Sequence, residues 1–481
     1  MPLSVPNRWF LLIIFLAVCF RVYDISTESL WVDELHSLNT AQLSPISLVK
    51  ADAQDNHPPL YSLLLHYWIK LTGNSECALR SLSVLFSLGS IIIFYFLVLK
   101  LTDYPTALYT TALCAFSYFQ VHYAQEVRSY ACALFLALVS IYMMLLLLDR
   151  RHKLHAIIYL ITTVLLIYTH YLGIFILLGQ QIYVIYLRYY RKQERIPIGR
   201  FFLLQLIIII LFIPWIHIFI LRALDLRREF WVTPPDIYTI PKTILVYAGT
   251  YSFFGILVFF LMMAVMVYSY SVTKWNTKDT PIVFAGIFFL IPILAPLFIS
   301  LFWSPLYIIR LTIVSSVFLY FLVGIAIRNI RRPFLRTVVF LLLVFCSAAN
   351  LYIYYSEMNK ERWHEAVDFV DKNATSGDLL LFHAPFGQRG FVYYSSRSDL
   401  KSVPVPLQGY DITEYDLADI KSRIRFHKQI WLILTHARDE KKLLDYLQSE
   451  LIQQEKKEYI SYGVNSHKPY VGIAVYRFLK N

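Results

Sequence analysis

The chain has 481 residues, of which 58% are hydrophobic and only 16% charged, and its net charge is +12. A soluble globular protein is nearer half apolar and a quarter charged, so a fold that is water-soluble throughout is excluded. The basic residues fall in short loops between apolar runs, where the positive-inside rule accounts for them, so nucleic acid is not an expected partner.

The first apolar run, Trp9 to Phe20, has few positive charges before it and no small-x-small cleavage site after it. It therefore reads as an uncleaved membrane helix and not as a signal peptide. Apolar runs near spanning length predict eleven membrane spans: 8–23, 79–99, 105–120, 130–148, 154–170, 171–188, 201–221, 253–271, 281–302, 311–327 and 334–354. The fifth and sixth nearly abut at "YTHYLGIF". Cysteines 19, 77, 114, 132 and 346 are odd in number and lack the spacing of a disulfide framework or a zinc site, so they read as packing residues.

The loops fix an expected orientation. With the N-terminus cytoplasmic, the inner loops 149–153, 188–200, 274–278 and 328–336 are dense in Lys and Arg. The outer side then receives 24–78, with Asp24, Glu28, Asp33, Glu34, Asp52, Asp55 and Glu76, together with 121–129, 222–252 and 303–310. Segment 240–254 is too short and interrupted to span, and reads as interfacial.

After Tyr355 the composition changes. "ERWHEAVDFVDKNA" has helical spacing, and "DLLLFHA" and "QIWLILTHA" look like buried strands. "DEKKLLDYLQSELIQQEKKE" reads as one amphipathic helix. The alternation predicts a small layered domain with a partly parallel sheet. It has no Gly-rich phosphate fingerprint, and Asn373-Ala-Thr matches a glycosylation sequon by pattern alone. The expected architecture is an all-α polytopic membrane bundle over 1–355, with first outer loop 24–78, followed by an extracytoplasmic α/β domain over 356–481 and an outside C-terminus.

Four polar sets fall at the outer ends of spans. In "SLWVDELHSLNTA" the adjacent acids Asp33 and Glu34 are either solvated surface or, held near low dielectric, a general base of raised proton affinity. In "DNHPPLY" two prolines bias His57 to an extended backbone; the segment is a rigid turn feeding a helix from Leu60 to Leu71, and His57 is a candidate ligand or hydrogen-bond donor. In "VHYAQEVRSYA" Glu126 and Arg128 enter the fourth span from outside, and Arg310 in "SPLYIIRLT" enters the tenth. Each arginine is an interfacial anchor or a planar fork for phosphate, and two outward arginines oppose the positive-inside trend. His170 and His122, also at outer ends, read first as structural histidines. A base, an anion clamp and a greasy surround on one side of the membrane suit a lipid-phosphate substrate.

The combination resembles the GT-C type membrane glycosyltransferases, in the branch related to protein O-mannosyltransferases and the aminoarabinose transferases of lipid A. The matching stretches are "WVDE" (31–34), "NHPPLYSLLLHYW" (56–68), "ECALRSLSVLFSLGSI" (76–91) and "QEVRSYACALFLALVS" (125–140), with weaker matches at 168–175 and 304–327. The resemblance implies a helical bundle with its active site at the extracytoplasmic face. It also implies a polyprenyl-phosphate-linked sugar donor, inversion at the anomeric centre, and an acceptor that is lipid A or core, a polysaccharide, a lipid or a protein. Carried residue by residue, Asp33 takes the base role and Glu34 a supporting one, and His57 stands at the family's HPP histidine. Arg128 and Arg310 fall where basic residues could hold the donor phosphate, an assignment that rests on the expected topology as much as on the resemblance, and Glu126 and His170 are further binding candidates. The implied location is a bacterial inner membrane. No cofactor is expected as a requirement. Asp33, Glu34 and His57 are the residues a divalent cation would use, but oxygen-rich ligand spacing is not evident.

The competing class is a transporter or flippase for a lipid-linked saccharide. It would share the outward arginines but show inverted repeats and polar or broken helices at mid-membrane depth. Few charges lie inside the spans, which favours an enzyme working at one surface. A third class is a non-catalytic assembly subunit that uses its C-terminal domain as a contact surface.

Overall fold

The computed structural model describes residues 8–480 except 56, 151, 194–197, 226–231, 276–279, 407–410, 437–439 and 464–467. The chain divides into two compact units, one of 1–25 and 38–353, the other of 26–37 and 354–481. Parts of the basic loops at 149–153, 188–200 and 274–278, and Asn56 of the "NHPP" stretch, lie outside the described residues.

The first unit is helical. It opens with α1 (Arg8–Val22), receives the end of α2 (Val32–Ala41), and continues through α3 (Pro45–Gln54) and α4 (Leu60–Thr72). Local chemistry sets these starts. Ser44 caps α3 and Pro45 supplies the preset φ of its first turn, while α4 follows the buried Pro58-Pro59 pair. Next come α5 (Glu76–Leu101), α6 (Tyr104–Ala115), α7 (Tyr118–Ala124), α8 (Tyr130–Arg150), α9 (Lys153–Thr169) and α10 (Gly173–Ile185), the last running into a π-helical turn at Tyr186–Tyr190. The unit closes with α11 (Ile198–Asp225), α12 (Thr239–Ala248), α13 (Phe253–Thr273), α14 (Thr280–Phe302), α15 (Ile313–Arg328) and α16 (Pro333–Ser356), the last ending in the second unit.

Seven helical segments among the described residues are long and apolar enough to cross a bilayer: Glu76–Leu101, Tyr130–Asp149, Ile198–Leu224, Phe253–Thr273, Thr280–Phe302, Ile309–Arg328 and Pro333–Ser356. The other four expected spans coincide with shorter helices: α1 of 15 residues, α6 of 12, α9 of 17 and α10 of 13. The expected span at 105–120 is two helices, because Ser117 leaves helical geometry and its hydroxyl accepts from the Gln120 amide at 3.3 Å. Segment 240–254 carries the ten-residue α12 and the first two residues of α13.

Inside this unit α15 is the central helix, buried from Ile313 to Ile327 and packed against α6, α13 and α14. A Cβ at Gly324 would collide with the Thr110 hydroxyl, so the backbones of α15 and α6 meet closely there. Buried polar groups are satisfied in a chain: Tyr159 donates to Gln180 at 2.7 Å, and Gln180 donates to Ser140 at 2.9 Å. Two buried arginines brace loop ends. Arg21 Nε donates to Ser87 at 2.8 Å and Nη1 to the Ala115 carbonyl at 3.2 Å, and Arg80 donates to the Ile25 carbonyl at 2.8 Å.

The second unit is a layered α/β domain. Its five-stranded sheet has the order β2-β1-β3-β5-β4, with β1 (Leu379–His383), β2 (Lys401–Pro404), β3 (Gln429–Leu434), β4 (Ile452–Tyr462) and β5 (Pro469–Leu479). Strands β2, β1 and β3 run parallel, and β5 and β4 pair antiparallel, so the expected partly parallel sheet is present. β1 is buried along its whole length and β3 over all but its first residue, as their uninterrupted apolar runs require. Helices α17 (Trp363–Asn373), α18 (Gly387–Tyr394), α19 (Glu414–Ile424) and α20 (Glu440–Glu450) complete it. The single amphipathic helix expected over 439–458 is corrected. Helix α20 stops at Glu450, and from Ile452 the chain is the edge strand β4, whose ladder with β5 outweighs the helical propensity of "QQEKKE". The charges of that stretch suit an exposed sheet edge.

Candidate active site

Asp33 and Glu34 lie in the first turn of α2, where the unsatisfied amides of a helix start favour negative charge. The two acids have different surroundings. Glu34 is fully buried, accepts from the Trp31 amide at 3.3 Å and pairs with the equally buried Lys360 ammonium at 3.1 Å. Asp33 is half-buried, and its carbonyl accepts from the Ser37 hydroxyl at 3.1 Å. Its carboxylate acts on His436, whose imidazole is hydrogen-bonded to the buried Glu361 carboxylate. That bond raises the His436 pKa above its ordinary value against the opposing pull of burial, and the charges of Glu361 and Asp33 act in the same direction. Adjacent acids at 33–34 thus face Lys360 and a histidine held by Glu361. Sequence reasoning did not single out Lys360, Glu361 or His436. The signal available was the charged "KERWHE" run heading the C-terminal region, since a buried carboxylate needs a counter-charge from somewhere.

Within the membrane unit, Arg128 and His57 meet, with 3.0 Å between Nη2 and Nε2. A guanidinium only donates, so His57 Nε2 is the acceptor in this bond. Arg128 is buried and stands just before α8, and His57 stands just before the two prolines that precede α4. His170, the buried C-cap of α9, accepts from the Leu172 amide through Nδ1 at 3.1 Å. His57, Arg128 and Arg310 all act electrostatically on His170. Arg310 also lies over the Tyr130 ring, 5.7 Å from its centre, and Tyr130 in turn contacts His170 with 6.0 Å between ring centres. The fold therefore gathers His57, Arg128 and Arg310 about His170, all four among the expected residues, with Tyr130, which the sequence reading left unremarked, between Arg310 and His170. Glu126 has a separate partner. It is buried and pairs with His122 Nε2, four residues earlier, at 2.9 Å, and the Tyr118 ring stacks on His122 with 6.1 Å between ring centres.

Two guanidinium groups flanked by two imidazoles at the ends of apolar helices make a site suited to a phosphate with a lipid tail. Among the described residues no group of three or more His, Cys, Asp or Glu is arranged to hold a metal ion.

Comparison with known proteins bears on the fold. Residues 56–218, which include His57, Arg128 and His170, match the family model of dolichyl-phosphate-mannose-protein mannosyltransferase. Among solved structures, ArnT from Cupriavidus metallidurans in the apo state superposes with a TM-score of 0.62 at 12% identity, covering 98% of this chain and 97% of that one. The same protein bound to undecaprenyl phosphate gives 0.59 at 12% identity, covering 98% of each chain. The archaeal oligosaccharyltransferase AglB from Archaeoglobus fulgidus, in complex with an inhibitory peptide and a dolichol-phosphate, gives 0.53 at 12% identity over 88% of this chain and 69% of that one. No curated protein sequence matches the chain. The chain has the GT-C fold in its ArnT-like form, a helical membrane bundle followed by a small sheet domain, as its sequence resemblance implied.

Proposed function

We propose that this protein is an integral membrane glycosyltransferase that moves a sugar from a polyprenyl-phosphate carrier to an acceptor at the extracytoplasmic face. The observation that carries the reading is the cluster of His57, Arg128, His170 and Arg310 in a chain whose family-model match begins at residue 56. In the reaction Asp33 takes the proton of the acceptor hydroxyl or amine while that atom bonds to the anomeric carbon. The bond from that carbon to the phosphate oxygen breaks on the opposite face, so configuration inverts, and the polyprenyl phosphate leaves with the electron pair. Arg128 and Arg310 stabilise the charge that grows on the departing oxygen. Glu34 serves by holding the segment that carries Asp33, and Glu126 by fixing His122 in the chain that leads to Arg128. The acidic outer loop and basic inner loops support eleven crossings, a cytoplasmic N-terminus and an extracytoplasmic C-terminal domain, and the family resemblance alone suggests a bacterial inner membrane. With the phosphate charge met by arginines no metal is required, and transfer in the presence of a chelator tests that point.

The test is intact-lipid and glycan mass spectrometry of cells lacking the protein, complemented with wild type or Asp33→Asn. Wild type restores a sugar-bearing mass, which identifies sugar and acceptor together, and a folded Asp33→Asn does not. Restoration by Asp33→Asn overturns the reading and leaves a lipid-saccharide transporter or an assembly subunit.

A further inference from the structure

Residues 26–37, the stretch that carries both acids, belong to the same compact unit as 354–481. The attachment is dense and runs residue by residue. Glu28 accepts from the Asn359 amide, Ser29 accepts from the His364 amide at 3.0 Å, and the Leu30 amide donates to the Tyr394 hydroxyl at 2.7 Å. Beyond these, the Lys360 ammonium meets Glu34, and His436 on its Glu361 tether faces Asp33. The Lys360 carbonyl is itself held by the Ser461 hydroxyl of β4 at 2.8 Å, so the lysine is tied to the sheet.

We infer that the C-terminal domain is a positioning element for catalysis, and that Lys360 is its principal positioning residue, fixing the register of the Asp33-bearing turn by pairing with buried Glu34. The inference rests on the role proposed above for Asp33. Its physical ground is the type of interaction. A buried ion pair adds little net stability over an apolar pair of the same shape, and its best-attested use is to select one register, because every other register leaves a charge buried alone. Lys360 and Glu34 are both nearly inaccessible, so any slippage of α2 strands two charges. Amides 30 and 31, which precede the first helical turn, receive fixed acceptors in the same arrangement. The turn that presents Asp33 is thereby set by residues more than 300 positions away in the chain.

The experiment uses the full-length protein in nanodiscs and cells lacking it, with undecaprenyl phosphate as the binding probe. Lys360→Met is expected to keep undecaprenyl phosphate affinity within about twofold, to speed hydrogen exchange of amides 31–37 by about tenfold or more, and to lower the sugar-bearing product in complemented cells at least about tenfold. Lys360→Arg restores both exchange and product. If Lys360→Met does not fold, the neutral double variant Glu34→Gln/Lys360→Met is read by the same measures. Undiminished product, or unchanged exchange at 31–37, in a folded variant overturns the inference. Asp33→Asn separates the two claims. If it retains product, the catalytic reading fails; if it loses product while Lys360→Met does not, the positioning role alone fails.

Discussion

Nη2 of Arg128 donates to Nε2 of His57 across 3.0 Å, joining two residues 71 positions apart at the foot of different helices. The bond fixes the plane of the guanidinium, and an orientated plane is what a two-pronged contact to phosphate needs. His57→Ala removes the acceptor and loosens that plane. A hydrogen bond to a charged group contributes about 1.5–3 kcal/mol, so undecaprenyl phosphate should bind about tenfold to a hundredfold more weakly. Arg128→Ala should weaken it at least as far, and Arg128→Lys should recover only part, because lysine keeps the charge without the fork. Equilibrium binding to the purified full chain measures all three, and unchanged affinity in His57→Ala and Arg128→Ala removes the pair from the donor site.

Asp33 and Glu34 should fail in opposite ways. Asp33→Asn alters a half-buried residue, and is expected to leave thermal unfolding near wild type while product disappears. Glu34→Gln leaves the Lys360 ammonium buried without its counter-charge, a loss of about 3–5 kcal/mol for a broken buried pair. Glu34→Gln/Lys360→Met, with both charges gone, should recover most of that stability. Paired melting curves and product masses for the three variants check the assignment. A destabilised Asp33→Asn beside a stable, inactive Glu34→Gln would reverse the two roles.

The His436–Glu361 pair implies a pH dependence for the C-terminal domain, with a definite sign. Glu361 favours its protonated form, so the folded-state pKa lies above the ordinary value of about 6.5. The stability this supplies is complete below the ordinary value and is lost as pH rises through the raised folded-state value. The difference in unfolding midpoint between wild type and Glu361→Gln should therefore be largest on the acid side and shrink as the pH climbs above about 6.5. A difference that grows with rising pH contradicts the pairing.

Apolar runs made the membrane bundle legible, because length and hydropathy suffice for helices such as Phe253–Thr273. The break at Ser117 was not, since a serine cap looks like any other serine inside an apolar run. The edge strand from Ile452 was misread because "QQEKKE" suits both a solvated helix and a charged sheet edge, and only the partner strand decides. At the candidate site, Arg128 and Arg310 stand out in the sequence because a charge at the end of an apolar segment is costly without a partner, and His57 because two prolines set its backbone, whereas His170 reads first as a structural histidine. Lys360 and His436 do not stand out, because their importance comes from the carboxylates they meet, and such pairing across hundreds of residues leaves no local pattern.

Trp363 and Gly390 form the joint between α17 and α18. A Cβ at Gly390 would sit 2.5 Å from the buried indole, closer than side-chain atoms approach. Gly390→Ala gains up to about 1 kcal/mol of helix propensity but must displace Trp363, and overpacking a filled core costs about 1–3 kcal/mol. A net fall in the unfolding midpoint is expected, with partial recovery in Gly390→Ala/Trp363→Leu. Trp363 follows Lys360 and Glu361 by two or three residues, so displacing it shifts the residues that face Asp33 and Glu34. Gly390→Ala should therefore lower product in complemented cells while undecaprenyl phosphate binding holds. Equal losses in both would mean that the substitution disturbs the whole chain and not the joint alone.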